Sequence, residues 1–389
     1  MLSYTNSTLH ELLVWTATNM KIKSIDLFTY DVPVAEPLQF GGELEASVPG
    51  VLARISTDEG TEGVGETTLH PNYYYGENQK SVLGCIEYLR PELLDRDPSN
   101  IRAIEQVTNK IAGNLIPKTI ISFAIFDIIG KKLNAPVCVL LGGRLRDSVP
   151  LIGMVGGGSA QQSVDRSRKL VADRFSTLKL TRGIDRNKEV DRLKAVRDAV
   201  GSQVKIRFDV NAAWTPKFAI RTIRNMERYE VEFVEQPVPG WDIDGLARVA
   251  KSVDTPVSAD ESLVTVNDAI RLVRKGAVDI FNIKVEEKGG FFTAGKMASI
   301  AEAADIACFV GGGPSLSFGT SAALHFAVSR KMGEFACEFL GPYFFKVDLA
   351  KEPLAIERGA VRISDKPGLG VTLDQKALEE LVKSSPRSR

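Results

Sequence analysis

Histidine and cysteine are scarce in this sequence of 389 residues, which contains three histidines and four cysteines. The cysteines are scattered through apolar stretches and lack the spacing of metal ligands. They are Cys85, Cys138, Cys308 and Cys337. We therefore expect four reduced thiols in the core of a cytoplasmic protein, and no metal site built on thiolates.

An excess of charge of one sign is also missing. Lysine plus arginine and aspartate plus glutamate both number 49, so no global field attracts nucleic acid or an anionic membrane surface. No apolar run approaches the length of about 20 residues that a membrane helix needs. Residues 1–19 lack the basic start of a signal peptide, and we interpret them as an extension. The rest has a plain globular composition, 44% hydrophobic and 25% charged, and must bind its ligands locally.

The pattern of the sequence changes near residue 146. Before it, extended runs occupy residues 21–66, and helical periodicity follows. The periodic segments lie near residues 78–93, 101–111 and 118–133. Strands followed by helices predict an α+β domain at residues 20–145. After it, strand-like runs alternate with helical patterns, which predicts a barrel domain at residues 146–344. The turn-rich segment at residues 345–389 is expected to return to the first domain.

Eight strand-like runs make up the alternating part of the chain. They are LIGMV, FSTLKL, KIRFDV, FVEQP, TPVSAD, DIFNIK, ACFVG and FACEF. Their spacing of about 25 to 30 residues is typical of a βα barrel and not of a doubly wound sheet. Eight runs are enough to close a barrel, in which functional side chains collect at the carboxyl ends of the strands.

Three carboxylates close consecutive runs of this barrel: Asp209 in RFDVN, Glu235 in FVEQP and Asp260 in SADES. They are separated by 26 and 25 residues, the length of one βα unit, so the fold would bring all three together. Each one alone would be an ordinary loop acid or helix N-cap. Buried together, they would repel one another unless a hard cation lay among them. The spacing therefore predicts a Mg²⁺ site.

Two lysines share the register of the carboxylates. Lys284 in FNIKVEEKGG lies 24 residues after Asp260, and Lys179 in TLKL lies 30 residues before Asp209. We expect both to face the cavity, although each could instead lie at a strand edge on the surface. A bound metal would lower the pKa of such a lysine and let it act as a base. Asn211, two residues after Asp209, is expected to hold a ligand or substrate oxygen.

The sequence resembles the enolase superfamily, in particular its muconate-lactonizing branch, from about Met20 onwards. The likeness is carried by GVGE, KTIISFAIFDIIGKKLNAPVCVLLGG, RFDVN, FVEQP, SADES, NIKVEEKGG and PGLGVTLD. It implies a (β/α)7β modified TIM barrel with an α+β capping domain, and Mg²⁺ (or Mn²⁺) bound by Asp209, Glu235 and Asp260. It also implies that Lys284 is an acid/base group that moves the proton α to a substrate carboxylate through an enediolate.

The sequence departs from the branch on the second barrel strand. The branch typically has Lys-x-Lys there, and the second lysine transfers a proton on the face opposite the sixth-strand lysine. Here the pattern is Lys179-Leu180-Thr181. A threonine cannot take a proton from carbon at neutral pH, and inversion of a carbon needs proton transfer on both faces. Racemisation or epimerisation is therefore disfavoured, and Lys179 is expected to bind the substrate carboxylate.

Further substrate contacts are expected around the mouth of the barrel. The candidates are Thr181, Asn211, Phe40, Tyr75, Glu338 and either Ser315 or Ser317. Phe40 and Tyr75 are chosen because the capping domain supplies substrate contacts in this family. The serines follow the seventh run, where no histidine is present, and this speaks against the mandelate racemase branch. His325, further along, is interpreted as a packing residue.

One evident base favours a cycloisomerase-like isomerase that acts on a small-molecule carboxylate, and the preference rests on the branch resemblance. A dehydratase-type lyase working by the same enolisation is the alternative. A different class, a metal-organised binding protein without activity, is opposed by Lys284 beside three ligands. A sugar-converting barrel of the xylose isomerase type is disfavoured because no histidine ends a strand. We expect no nucleic acid or membrane partner, and a homo-oligomer.

Overall fold

The computed structural model describes residues 20–40, 43–69, 76–183, 185–332, 335–339 and 341–385. The side chains of two predicted substrate contacts are not among the described parts of the chain. Tyr75 lies outside the described residues, and only the backbone of Phe40 is described. The extension predicted at residues 1–19 also lies outside them.

The first domain packs helices on a three-stranded antiparallel sheet, as the alternating and periodic patterns predict. Its strands, in the order β1-β2-β3, are β1 (Ile22–Phe40), β2 (Glu43–Thr57) and β3 (Glu62–Thr68). Its helices are α1 (Gln79–Leu93), α2 (Ile101–Thr108), α3 (Leu115–Lys132) and α4 (Val137–Leu140). The helix predicted from residue 118 begins three residues earlier, at Leu115.

Two glycines let α3 lie directly on β3. A Cβ atom at Gly65 would lie 1.9 Å from the carbonyl oxygen of Ile120, and one at Gly63 would lie 2.1 Å from that of Ala124. No side chain fits at such distances, so GVGE is a close approach of helix to strand. This packing fixes the position of Glu66 at the end of the motif.

The second domain alternates strands and helices, as its sequence predicts. The strands are β4 (Ser148–Pro150), β5 (Gly153–Met154), β6 (Thr177–Thr181), β7 (Lys205–Asp209), β8 (Val231–Glu235), β9 (Val257–Ala259), β10 (Ile280–Lys284) and β11 (Ala307–Gly311). The helices are α5 (Ala160–Ala172), α6 (Glu189–Val200), α7 (Pro216–Met226), α8 (Ile243–Ala250), α9 (Val266–Lys275), α10 (Gly290–Ala303) and α11 (Ser317–Ser329), and a 3₁₀ turn spans Glu227–Tyr229. Strands β5 to β11 form one parallel sheet in sequence order.

The eighth run, FACEF, closes this sheet into a barrel. Cys337 donates its backbone N–H to the carbonyl of Pro150 (2.8 Å) and accepts from the N–H of Ile152 (3.0 Å) on one side. On the other side, Glu338 donates its N–H to the carbonyl of Val310 (3.0 Å). The run therefore lies between the first and seventh strands of the barrel, paired parallel to the first. The barrel prediction is confirmed.

Inside the barrel, the buried guanidinium group of Arg207 packs among aromatic rings. The guanidinium carbon of Arg207 lies 4.6, 5.1 and 5.5 Å from the ring centroids of Phe233, Phe309 and Phe335. Its Nη1 donates to the carbonyl oxygen of Ala336 in the eighth run (2.7 Å). The interior is thus packed, and chemistry is confined to its mouth.

The C-terminal segment returns to earlier parts of the chain. It contains α12 (Gly341–Phe344), β12 (Ile356–Glu357), β13 (Ala360–Arg362) and α13 (Gln375–Ser384). Strand β13 pairs with β4, and α13 packs on β1, where the N–H of Asp31 donates to Oγ of Ser385 (2.7 Å). The tail thus contacts both β4 and β1, while the division into domains stays a prediction.

The predicted core residues lie as follows. All four cysteines are free, three of them buried and Cys85 half-buried. His325 is fully buried and accepts a hydrogen bond from the N–H of Cys138 at Nδ1 (3.1 Å), so it packs in the core as expected. Burial lowers the pKa of His325 to about 4, which keeps the ring neutral. Within the part of the chain that the structure describes, no helix is both long and apolar enough to cross a membrane.

Candidate active site

The three predicted ligands lie side by side at the barrel mouth. Asp209 is the last residue of β7, Glu235 is the last residue of β8 and Asp260 directly follows β9. Asp209 and Glu235 are register partners across the two strands. All three side chains are buried, with at most 3% of any residue exposed. The fold thus collects three carboxylates in a site from which water is largely excluded.

Two lysine ammonium groups lie against these carboxylates. Nζ of Lys179 lies 3.0 Å from Asp209 Oδ2, 2.9 Å from Glu235 Oε2 and 2.7 Å from Glu338 Oε2. Nζ of Lys284 lies 2.8 Å from Asp260 Oδ2. The structure therefore brings four candidates into one cluster: Lys179, Asp209, Glu235 and Glu338. The pair of Asp260 and Lys284 lies beside it.

The lysines have raised pKa values in this arrangement. Burial by itself lowers the pKa of Lys179, but Asp209, Glu235 and Glu338 together raise it well above its ordinary value. Burial likewise acts against the charge of Lys284, and its neighbouring acids, Asp260 foremost, raise the pKa. In the structure these lysines lie against carboxylates, and the lowered lysine pKa expected beside a bound metal stays a prediction.

The carboxylates are chemically suited to Mg²⁺, but their side chains are not arranged as a complete coordination site. Among the described residues, no three histidine, cysteine, aspartate or glutamate side chains are arranged to hold a metal ion as they stand. The donor set nonetheless fits a hard cation, because it offers only carboxylate oxygens. Burial and then the charges of Glu338, Asp209 and Asp260 raise the pKa of Glu235 well above its usual range, against the lowering effect of Lys179, whose Nζ lies 2.9 Å from Glu235 Oε2. A divalent cation would relieve this crowding of negative charge.

Amide side chains hold the carboxylates in place. Asn282 on β10 donates from Nδ2 to Glu235 Oε1 (2.7 Å). Gln236 accepts at Oε1 from the backbone N–H of Asp260 (3.0 Å). Asn211 donates from Nδ2 to Asp209 Oδ2 (3.0 Å). These contacts orient the carboxylates of Asp209 and Glu235 and fix the backbone at Asp260.

Asn211 contacts the carboxylate of Asp209 through a local turn and not through the alternation of side chains along a strand. Strand β7 ends at Asp209, and Asn211 lies in a turn with a left-handed φ of 46°. Its N–H also donates to Asp209 Oδ1 (2.8 Å). A local turn therefore brings Asn211 to Asp209, and its contact with a bound ligand or substrate stays a prediction. Alternation does apply to Asn282, two residues before Lys284 in FNIK, and would have identified it.

Several buried acids near the site were not singled out from the sequence. Glu261, next to Asp260, is half-buried with its Oε2 shielded from solvent, and burial followed by the charges of Asp260 and Asp209 raises its pKa well above the usual range. Glu286, two residues beyond the catalytic-lysine candidate, is fully buried too, and burial and the charge of Glu287 raise its pKa. Their positions within SADES and KVEEKGG were the available signals.

The other predicted contacts are distributed around the mouth. Thr181 ends β6 and, by strand alternation, shares the face of Lys179. Ser315 is buried where the two domains meet, with its Oγ 3.3 Å from Oγ1 of Thr67. Ser317 is engaged with Asp348, to which its hydroxyl donates (2.8 Å). Direct contact of any of these groups with a substrate stays a prediction.

Known proteins share this arrangement over nearly the whole chain. Residues 24–142 match the family described as "Mandelate racemase / muconate lactonizing enzyme, N-terminal domain", and residues 162–377 match "Enolase C-terminal domain-like". The chain belongs to the mandelate racemase and muconate lactonizing enzyme family of the enolase superfamily. Both halves of the fold, capping sheet and barrel, therefore have counterparts in this family.

Similar members of the family carry out different isomerisations. The N-succinyl-L-Arg/Lys racemase of Bacillus cereus is 31% identical over 365 residues, which cover 93% of this chain and 98% of the relative. Muconate cycloisomerase 1 of Acinetobacter baylyi is also 31% identical, over 92% of this chain and 99% of its own. The solved structure of a dipeptide epimerase from Enterococcus faecalis, complexed with Mg and the dipeptide L-Leu-L-Tyr, is 31% identical, with a TM-score of 0.86 over 90% of this chain and 99% of its own. An enolase-type isomerisation is the chemistry these relatives support.

Proposed function

We propose that this chain is a Mg²⁺-dependent enzyme that moves the proton α to a substrate carboxylate with Lys284 as its one acid/base group. The net reaction would be a cycloisomerase-like isomerisation. The observation that carries the proposal is an asymmetry across the barrel mouth. Lys284 ends β10, and Thr181 ends β6, four strands away. In a barrel of eight strands, positions four strands apart face each other.

The metal would be held by Asp209, Glu235 and Asp260. When bound, Mg²⁺ would stabilise the negative charge that develops on the substrate carboxylate as the proton moves. The donor set of three buried carboxylates supports this assignment, and so does the Mg in the structure of the dipeptide epimerase. Lys179, within 3.0 Å of two of these acids, would orient the substrate carboxylate beside them.

Lys284 would transfer the proton. Its ammonium group is buried against Asp260, so it holds a proton at Nζ ready for delivery to carbon. In the opposite direction the neutral amine would take the proton on the same face. Cycloisomerisation needs one such transfer at one carbon, whereas racemisation needs a second group on the other face. Thr181 supplies no such group, which separates this chain from its racemase and epimerase relatives.

The proposal is tested by incubation with Mg²⁺ in D₂O and analysis by NMR. The panel would contain cis,cis-muconate, chloromuconates, N-succinyl amino acids, dipeptides and hydroxy acids. We expect ring closure of an unsaturated dicarboxylate, with deuterium delivered to one carbon and to one face. Loss of water from a hydroxy acid would favour a lyase instead, and racemisation of a succinyl amino acid would contradict the single base.

A catalytically silent binding protein is tested in the same experiment. Parent and Lys284→Ala would then both leave every acid unchanged, while calorimetry still detected binding of Mg²⁺ and of an acid. Exchange in the parent that disappears in Lys284→Ala would exclude this class.

We also propose that the chain works as a homo-oligomer in the cytoplasm. Free cysteines support a reducing compartment. The exposed apolar side chains of Leu133, Val139 and Leu145 support a subunit interface. Light scattering on the purified protein would measure the mass, and a monomer at all concentrations would contradict the interface.

A further inference from the structure

A buried set of polar contacts joins the capping domain to the barrel beside the proposed active site. We call it the clasp: Glu66, Thr67 and Thr68 of β3 against residues 312–319, which lead from β11 into α11. Thr68 Oγ1 donates to the carbonyl oxygen of Pro314 (2.8 Å), and Thr67 Oγ1 lies 3.3 Å from Ser315 Oγ. All these contacts are buried, so the loop after the seventh strand is bonded directly to the other domain.

Glu66 supplies the cap that helix α11 lacks in its own sequence. The residue before the helix is Leu316, whose side chain cannot accept a hydrogen bond. The carboxylate of Glu66 accepts from the N–H of Leu316 at Oε1 (3.3 Å) and from the N–H of Gly319 at Oε2 (2.9 Å). Asp348, from the C-terminal segment, accepts from the N–H of Ser317 (3.2 Å). The first N–H groups of a helix need such partners, and here two distant acids provide them.

The loop held by Glu66 is in contact with the residues that build the active site. Directly before the loop, Gly311 packs against Asn282, the residue that donates to Glu235, and a Cβ atom at Gly311 would lie 1.9 Å from Oδ1 of Asn282. A Cβ atom at Gly312 would lie 2.2 Å from Oε2 of Glu286, two residues beyond the proposed acid/base lysine. Displacement of this loop would therefore disturb both a predicted metal ligand and the end of β10.

We propose that Glu66 is a positioning residue whose charged carboxylate fixes residues 312–319. Through this loop it holds the part of the active site next to β11 in place while the capping domain is packed on the barrel. The effect on turnover rests on the proposed function, but the effect on the loop does not. The proposal stands on the contacts from β3 through the loop to Asn282 and Glu286.

The charge state of Glu66 decides how many donors it can accept. The hydroxyl of Tyr30 also donates to Oε1 (2.8 Å), so the charged carboxylate satisfies three donors. A proton on Oε1 would reverse the bond to Tyr30 and leave the N–H of Leu316, already the longest contact, with a neutral hydroxyl oxygen as a weaker acceptor. Burial raises the pKa of Glu66 to about 7, with the charge of Asp348 acting in the same direction and the three donors against it. Glu286 is a further titratable group beside Glu66, and the charge of Glu66 acts with burial to raise the pKa of Glu286.

Hydrogen–deuterium exchange of the peptide containing residues 312–319 tests the clasp. The full chain would be loaded with Mg²⁺ and studied between about pH 5.5 and 8.5, on either side of the raised pKa, with intrinsic exchange rates divided out. We expect protection of Leu316 in the parent to rise as the pH rises through about 7. Glu66→Gln, which cannot ionise, should exchange about tenfold faster at the alkaline end, the cost of one hydrogen bond to a charged group, and show no such pH dependence.

Two further variants make the result specific. Tyr30→Phe removes a donor that stabilises the charged carboxylate, so the transition in protection should move to higher pH. Asp127→Asn is the matched control, because Asp127 is another fully buried acid that binds β3, through the N–H of Val64 (3.0 Å), without touching the loop. It should keep the pH dependence of the parent.

Activity provides the second measurement, with whichever acid of the panel is turned over. The parent should lose kcat/KM below pH 7 through the same transition, and Glu66→Gln should be about tenfold lower at the alkaline end and lack that transition. Equal protection and equal pH profiles in parent and Glu66→Gln would overturn the proposal. A parent whose loop titrates as expected, but which turns over no acid, would support the clasp and contradict the proposed function.

Discussion

Lys284 meets two carboxylates in the structure, Asp260 at 2.8 Å and Glu287 at 3.6 Å. The ammonium group is therefore held in its charged form, as an acid and not as a base. A cation bound by Asp260 would compete with the lysine for that carboxylate and lower the pKa of Lys284. Metal binding and readiness for proton abstraction are coupled at this residue.

The variant Lys284→Ala removes the one group assigned to proton transfer. We expect turnover and solvent exchange to fall together, by the factor of about 10² to 10⁴ that general acid/base groups contribute. NMR in D₂O measures both rates in one sample. The exposed Lys217→Ala is the control and should behave as the parent. Exchange that survives in Lys284→Ala would show that another residue is the base.

The variant Thr181→Lys places a second amine across the barrel from Lys284. Its ammonium group would share a strand face with Lys179, and this like charge, together with a bound cation, should lower its pKa towards neutrality. On a substrate with a stereocentre next to the carboxylate, we expect exchange with inversion that the parent lacks. Thr181→Ser is the control. A parent that already inverts the centre would contradict the single-base assignment.

The metal assignment is tested at each ligand separately. Asp209→Asn, Glu235→Gln and Asp260→Asn should each weaken Mg²⁺ binding at least about a hundredfold, because even partners of metal ligands can cost that much. Calorimetric titration with Mg²⁺ measures the change, with the exposed Asp244→Asn as control. Unchanged affinity in two of the three ligand variants would show that the metal site lies elsewhere.

At the scale of secondary-structure elements, glycine decides how closely β11 approaches β10. Gly311 is the register partner of Lys284, and its missing side chain leaves room for Asn282. Gly311→Ala should therefore push Asn282 away from Glu235 and cost about 1 to 3 kcal/mol of unfolding free energy, as overpacking does. Urea denaturation measures the loss, and activity should fall with it.

Gly84→Ala is the matched control for that prediction. Gly84 lies in α1, and a Cβ atom there would meet nothing within 4 Å. Alanine favours a helix interior by about 0.5 to 1 kcal/mol over glycine, so this variant should be slightly more stable than the parent. Equal losses in Gly84→Ala and Gly311→Ala would contradict the steric argument.

Elements were easier to predict than the contacts between them. The carboxylate spacing of 26 and 25 residues placed Asp209, Glu235 and Asp260 on consecutive strands, because the βα repeat is a property of local sequence. Local periodicity also gave the three long helices of the first domain. It gave the start of α3 three residues late, since nothing in the pattern marks Leu115 as its first residue.

Long-range contacts carry no comparable local signal. The clasp joins Glu66 to Gly319 across 253 residues, and only the folded chain brings the two together. The same holds for Lys179, whose partner Glu338 lies 159 residues away. For this reason the sequence did not tell which carboxylates would surround each ammonium group. The lysine pKa expected beside a bound metal stays a prediction.

At the scale of the whole molecule, buried carboxyl groups make stability depend on pH. Glu66 has a pKa of about 7 in the folded protein against an ordinary value of 4.5, so between these values the folded state binds more protons than the unfolded state. Its contribution therefore lowers the free energy of unfolding as the pH rises from about 4.5 to 7. The charge costs global stability while it tightens the hydrogen bonds of the clasp.

Comparison of the parent with Glu66→Gln isolates the contribution of Glu66 to the pH dependence of the unfolding free energy. Over that pH range the parent should lose about 3 kcal/mol of unfolding free energy relative to the glutamine variant, from a shift of about 2.5 pKa units. Urea denaturation at several pH values measures the difference. The control variant Glu357→Gln, at an exposed position, should show the same pH dependence of the unfolding free energy as the parent. A constant difference between parent and Glu66→Gln would show that this carboxyl does not titrate in the range.

Docking of α13 on β1 means that the capping domain is assembled from the two ends of the polypeptide. The bond from Asp31 to Ser385 joins residues 354 positions apart, so a ribosome adding about 5 to 20 residues per second needs roughly 20 to 70 s to synthesise the partner that Asp31 requires. During that time β1 lacks its final cover, whereas each βα unit of the barrel can form as it emerges. The first domain therefore reaches its final packing only after α13 has been synthesised.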